Sequence, residues 1–235
     1  MKIFNRGIGK DMRKALYLLY HLIKFTEAVM ERLLCLLIGY LLGSFLTAEI
    51  VSRAAAHKKC SELGTGNPGM ANIAHCLGIK CGLTVLAGDI GKTFLACLMC
   101  FFLIPMPNHL AVLYAGLGCI LGHNFPFWSK FKGGKGVAVT CTAIFICNPL
   151  YGLLANIAGL LVVLLTGWLP LGAVVIPAVF LFPVFFLYHT EALVLVILYT
   201  LLMIFRHFPG LKSIKDGTCP KIDPLAFLKH KKNPE

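Results

Sequence analysis

Charge is scarce in this chain of 235 residues. Charged side chains make up 14% of it, where an ordinary soluble domain carries about a quarter. A soluble fold of this size is thereby excluded, because too little polar surface remains to cover long uncharged runs. Acidic residues are the scarcer kind, 10 against 22 Lys and Arg. Polar interruptions are also few: from Leu150 to Phe205, Glu191 is the one acidic residue, beside Asn156 and a few Thr. Such a stretch disfavours a transporter or channel, which needs polar side chains inside its spans. No small-residue cleavage site follows the apolar stretch Ala15 to Ile23, so a cleaved signal peptide is not expected.

Apolar residues, by contrast, account for 58% of the chain, and the mean hydropathy is +0.80. A membrane-crossing helix needs about 20 mostly apolar residues, and several such runs are present. The sequence predicts an all-α, polytopic membrane protein with about seven spans and glycine-rich cytoplasmic loops. The spans are expected near 33–51, 83–104, 110–127, 137–147 and, broken at 167–170 and 188–191, in three helices from 150 to 205. The fourth is short and can begin within the preceding loop. Ten cysteines are present. Six lie inside apolar runs, where thiols behave as small hydrophobes. Cys97 and Cys100 form a CxxC pair with no further ligands nearby, so no metal is expected.

The net charge of +12 suits either nucleic acid or the positive-inside bias of membrane proteins. Its distribution decides for the membrane. The segments 52–82 and 122–136 and the tail from Arg206 hold fourteen Lys or Arg, while those near 105–109, 147–150 and 188–191 hold none. The three basic segments are therefore placed together on the cytoplasmic side. Residues 1–32 carry seven Lys or Arg against three acids and are read as a basic, interfacial extension. Residues 33–210 form the membrane domain and 211–235 a basic tail.

Three inner segments combine polar, glycine-rich and basic character: Glu62 to Gly78, Gly122 to Thr140 and Arg206 to Lys221. Glycines let the backbone approach a ligand and present N–H donors, which suits phosphate. Lys135 lies between Gly134 and Gly136 just before an expected helix, whose N-terminus favours an anion. Lys132 is three residues away. The Walker pattern GxxxxGK[ST] is absent, as are a Ser-His-Asp arrangement and an HxxxxD motif. Asp89 and Lys92, at i and i+3 in the second span, are spaced to pair.

These segments resemble the bacterial acyl-phosphate glycerol-3-phosphate acyltransferases over about residues 36–221. Gly43 and Ser44 are similar to the GS that ends the family's first span. Gly64 to Asn72 reads GTGNPGMAN for GSGNPGATN. Asp89 to Lys92 resembles DxxKG, with Thr93 for the glycine. Gly122 to Gly136 keeps GH, FP and FKGGKG. The third motif, RHxxNI with a later Glu, keeps Arg206 and His207 but has Gly210 for the Asn and Cys219 for the Glu. Thr65 stands for a serine, Ala71 for a threonine and His75 for an arginine, exchanging a permanently charged bidentate donor for an imidazole.

The resemblance implies a multi-pass enzyme of the bacterial inner membrane with a cytoplasm-facing site. It would join long-chain acyl phosphate to glycerol 3-phosphate among membrane lipid, with neither cofactor nor nucleic acid. An acyl phosphate is an activated anhydride, so no protein nucleophile is required. It implies catalytic roles for Thr65, Lys135 and His207. Phosphate and substrate binding would fall to Gly64, Gly66, Asn67, Asn72, His75, His123, Lys132, Gly133, Gly134 and Gly136. The lost Asn, Glu, Arg and Thr raise the alternative of an inactive or repurposed paralogue that binds phosphorylated lipid precursors.

Overall fold

A computed structural model describes residues 10–221, and within them the chain is helical without strands. Nine α-helices follow in order: α1 (Lys10–Gly43), α2 (Thr47–Ala56), α3 (Met70–Leu77), α4 (Ile79–Leu103), α5 (Asn108–Asn124), α6 (Val137–Cys147), α7 (Pro149–Thr166), α8 (Leu169–Leu187) and α9 (Thr190–Lys215). Six described segments are long and apolar enough to cross a membrane, taking α1 and α2 as one. α6, with 11 residues, is about 16 Å long, well short of a hydrocarbon core of about 30 Å.

The first helix departs from the sequence expectation. The predicted span 33–51 breaks at Ser44 to Leu46, and Thr47 starts a separate short helix. At the other end α1 runs on upstream as one helix through residues 10–32, part of the segment read as an interfacial extension. Residues 1–9 of that extension and 222–235 of the basic tail lie outside the described residues. The break at 44 has a local cause. The Ser44 hydroxyl bonds back to the Tyr40 carbonyl, and the Ser44 carbonyl accepts a bond from the Trp128 indole instead of continuing the helix.

α5 is the axis of the bundle and is buried along most of its length. It packs against α1 through small residues repeated every four positions on both helices: Gly39 and Gly43 face Ala115 and Cys119, while Gly118 and Gly122 face the backbone of Leu36 to Ser44. A Cβ at any of these glycines would strike the opposite main chain. This is the small-residue packing that lets membrane helices approach closely. α9 joins α5 through fully buried Tyr199, whose hydroxyl donates to the Leu113 carbonyl at 2.6 Å.

The bundle has two unlike ends. One, outer in the sidedness expected from the charge distribution, gathers the turns at 104–107, 148 and 188–189. There Arg32 forms a bidentate ion pair with Glu191 at 2.6 and 2.8 Å, and Glu191 also accepts from Tyr114 at 2.8 Å. The Asn148 amide donates to the Tyr188 hydroxyl, fixing α7 against α8. The other, inner end holds all three basic glycine segments.

Candidate active site

The segment 57–69 is built on Asn72, the third residue of α3. Its side-chain oxygen accepts from the Thr65 amide at 2.9 Å and the Thr65 hydroxyl at 3.1 Å, and its nitrogen donates to the Leu63 carbonyl at 2.9 Å. Gly64 (φ +51°) and Gly66 (φ +70°) turn the chain through left-handed conformations, and a Cβ on Gly64 would meet the Asn72 oxygen. Asn72 is therefore occupied with holding the loop. Thr65 is exposed and Asn67 half-buried, and the Asn67 side-chain amide has no hydrogen-bond partner among the described residues. His75 points out from α3 and is exposed. Burial, then the Glu49 carboxylate, pushes the nearby Cys60 thiol up to about 11, which keeps it protonated and unreactive.

The segment 125–136 doubles back on the last turn of α5. The Gly133 amide donates to the Asn124 carbonyl at 3.1 Å and the Gly134 amide to the His123 carbonyl at 2.9 Å. A Cβ on Gly133 would strike the His123 carbonyl, and one on Gly134 would strike the His123 ring at Nε2. These two amides, expected as phosphate donors, are thus engaged within the protein. What remains open at this turn is the N-terminus of α6, beginning at Lys135 and the left-handed Gly136 (φ +81°). Its first amides have no intrahelical partner.

Arg206 fixes the loop from α9. Its guanidinium donates to the Gly133 carbonyl at 2.8 Å and to the Gly134 carbonyl at 2.8 and 3.1 Å, over the Phe125 ring. Beneath the loop, Lys92 of α4 reaches His123 Nδ1 at 3.0 Å, Asp89 at 2.8 Å and the Phe45 carbonyl at 2.7 Å. Buried His207 follows Arg206 on α9 and holds the Met203 carbonyl through Nδ1 at 3.0 Å. Lys135 is half-buried and has no carboxylate partner among the described residues. Burial, then the neighbouring Arg206 charge, lowers its ammonium below the ordinary lysine range, and Cys219 opposes this. Lys132 is exposed.

The structure thus joins His123, Gly133, Gly134, Lys135, Gly136 and His207 in one assembly. Thr65, Gly64, Gly66, Asn67 and Asn72 form a second cluster at the same end of the bundle. No described hydrogen bond links the two clusters directly. Two residues outside the expected set are central: Arg206, signalled by the RH pair, and Lys92, signalled by the DxxK spacing. A third, Asn124, is buried beside Gly136 with both side-chain polar atoms unpartnered. Such a group costs about 1–3 kcal/mol, and no sequence feature marks it.

A family model described as glycerol-3-phosphate acyltransferase matches residues 33–217. The chain belongs to this family. A curated relative, glycerol-3-phosphate acyltransferase 1 of Lactobacillus johnsonii, is 37% identical over 86% of this chain and 98% of its own length. The glycerol-3-phosphate acyltransferase of Bacillus subtilis is 34% identical over 80% of this chain and 96% of its own. Among solved structures, PlsY (YgiH), an integral membrane glycerol 3-phosphate acyltransferase in its glycerol 3-phosphate form, superposes with a TM-score of 0.75. It is 26% identical over 84% of this chain and 98% of that one. The all-helical, multi-pass membrane reading and the family resemblance both stand on these matches, while six described segments rather than seven are long and apolar enough to cross a membrane. The departure at Gly210 from the third motif also has a packing correlate in this family member. A Cβ there would press on the Pro170 ring, so the position accepts glycine against α8.

Proposed function

We propose that this protein transfers an acyl group from acyl phosphate to glycerol 3-phosphate, giving lysophosphatidic acid and phosphate for phospholipid synthesis. The observation that carries the reading is Lys135. It is a half-buried cation free of any described acid, set at the open N-terminus of α6 and flanked by Arg206 and His207. Two anionic substrates repel each other. A lysine and unengaged amides in one place offset that repulsion and meet the charge that develops on oxygen.

In this reading Lys135 and the first α6 amides hold a substrate phosphate, with Lys132 and Gly136 beside it. Thr65, set by Asn72 between Gly64 and Gly66, faces the site with Asn67, and His75 stands at its rim. His207 donates through Nδ1 to Met203, so Nε2 carries the lone pair. The glycerol hydroxyl oxygen bonds to the acyl carbon as its proton passes to His207 Nε2. The bond from that carbon to the phosphate oxygen breaks, and phosphate leaves. A shallow, open apolar surface beside Arg206, formed by Leu201, Ile204, Phe205, Phe208 and Pro209, supports a place for the acyl chain. It opens where lipid would lie, the cheapest medium for a long tail.

The excess of basic residues at the site end supports an inner-membrane protein with its site in the cytoplasm. The N-terminal half of α1 continues the spanning helix beyond the bundle at the opposite end, with its apolar residues, Leu16 to Ile23 among them, exposed. The deciding experiment follows inorganic phosphate release and lysophosphatidic acid formation by the purified protein, given palmitoyl phosphate and glycerol 3-phosphate. Transfer that disappears in Lys135→Ala supports the reading. Transfer that survives unchanged in that variant removes it. A binding-only paralogue, suggested by Gly210 and Cys219, would retain glycerol 3-phosphate without turnover.

A further inference from the structure

Buried Lys92 and Asp89, with the Phe45 carbonyl, have a chemical consequence for His123. Lys92 carries three N–H donors and no acceptor. Around it stand the Phe45 carbonyl at 2.7 Å, His123 Nδ1 at 3.0 Å and, as an ion pair, Asp89 Oδ1 at 2.8 Å; that carboxylate oxygen is 3.6 Å from His123 Nδ1, too far to take a hydrogen from the ring. As the cation of this ion pair Lys92 has donors only. His123 Nδ1 must therefore present its lone pair, and the ring hydrogen is left on Nε2. Nε2 lies end-on against the Cα of Gly134, in the space a Cβ would fill. Among the described residues it has no hydrogen-bond partner.

We propose that Lys92, with Asp89, is a positioning residue that fixes His123 in its Nε2–H form and so sets a hydrogen-bond donor beneath Gly134, next to the lysine that takes the phosphate. The inference rests on the acyl-transfer reading for its substrate, but the tautomer itself does not. His207 is set the opposite way, with Nδ1–H engaged by Met203 and Nε2 bare. One ring at the site thus donates while the other accepts. Gly134 is required because any side chain there would displace the donor.

The test uses the full-length protein with ¹⁵N-labelled histidine in lipid nanodiscs, the His123 signal being identified by its loss in His123→Gln. The expected spectrum shows a bare Nδ1 and a protonated Nε2. A protonated Nδ1 overturns the proposal whether or not the protein transfers acyl groups. Removing Lys92 alone would strand the Asp89 charge, which is strongly destabilising when buried. The informative variant is therefore Asp89→Asn with Lys92→Met. Its His123 signal should become a mixture of both forms, and kcat should fall about 10²-fold, as on loss of one preorganised donor. An unchanged signal and rate would overturn the assignment. In His123→Gln the amide NH₂ stands near the Nε2 position and has no tautomer to fix. There the same double substitution should no longer lower kcat, and His123→Asn should be slower than His123→Gln. An undiminished effect of the double substitution in the Gln background would mean that Lys92 and Asp89 act only on packing.

Discussion

The two ends of the bundle use similar residues differently. At the outer end Arg32, Glu191 and Tyr114 satisfy one another, with both carboxylate oxygens engaged by the guanidinium and the phenol adding a third bond. At the inner end Arg206 is satisfied by backbone carbonyls, but Lys135, Asn67 and His123 Nε2 keep unengaged donors. A membrane protein keeps a cation near its core only when it is paired or functional. The outer cluster is the paired case, tying α1 and α5 to α9. The inner cluster holds back its donors for something that arrives.

If this contrast is right, substitutions at the inner end should damage rate and those at the outer end stability. The largest effect is expected for Lys135→Ala, a loss of about 10²–10³ in kcat/KM with an unchanged unfolding temperature, read by steady-state transfer and thermal unfolding together. Arg206→Ala comes next. It frees the Gly133 and Gly134 carbonyls, and a shift of the loop by about 1 Å should cost about 10²-fold in turnover. Asn72→Ala removes the bonds that shape 63–65 and should slow transfer about tenfold, without abolishing phosphate protection in a glycerol 3-phosphate titration. Glu191→Gln should leave turnover near the parent value and cost about 1.5–3 kcal/mol of stability. A large rate loss there would erase the distinction between the ends. The smallest effect is expected on removing residues 2–30, which lie outside the family match at 33–217. Transfer measured in nanodiscs should stay within about twofold of the full chain.

The pH profile sharpens the same contrast. Burial and the Arg206 charge lower the Lys135 ammonium, so its proton is lost at a lower pH than that of a free lysine. Activity should therefore decline on the alkaline side earlier than an exposed lysine would give. Lys135→Arg should move that decline to higher pH, whatever it does to the maximal rate. Parallel alkaline limbs in both proteins would show that another group sets it.

Much of this was legible from the amino acids. Hydropathy and the placement of Lys and Arg located the spans and put the three glycine segments at one end, because those features follow from the solvent the chain must face. The string FKGGKG marked the loop and its lysine. Hydrogen-bond direction was not legible. Nothing in the sequence shows that the Gly133 and Gly134 amides turn back onto α5, leaving Lys135 and the start of α6 with the open donors. Asn72 read as a ligand contact and proves to be a brace for Thr65, since an amide serves either role with the same atoms. Span lengths near α1 and α6 were blurred for another reason. Ser44 and Trp128 end the first helix through a contact between residues 84 positions apart, and local periodicity cannot carry such information.

Arg206 grips two carbonyls of the glycine loop from a helix whose flank faces lipid. Any tilt of α9 that follows a change in bilayer thickness must therefore displace those carbonyls, and with them the lysine that comes next in the chain.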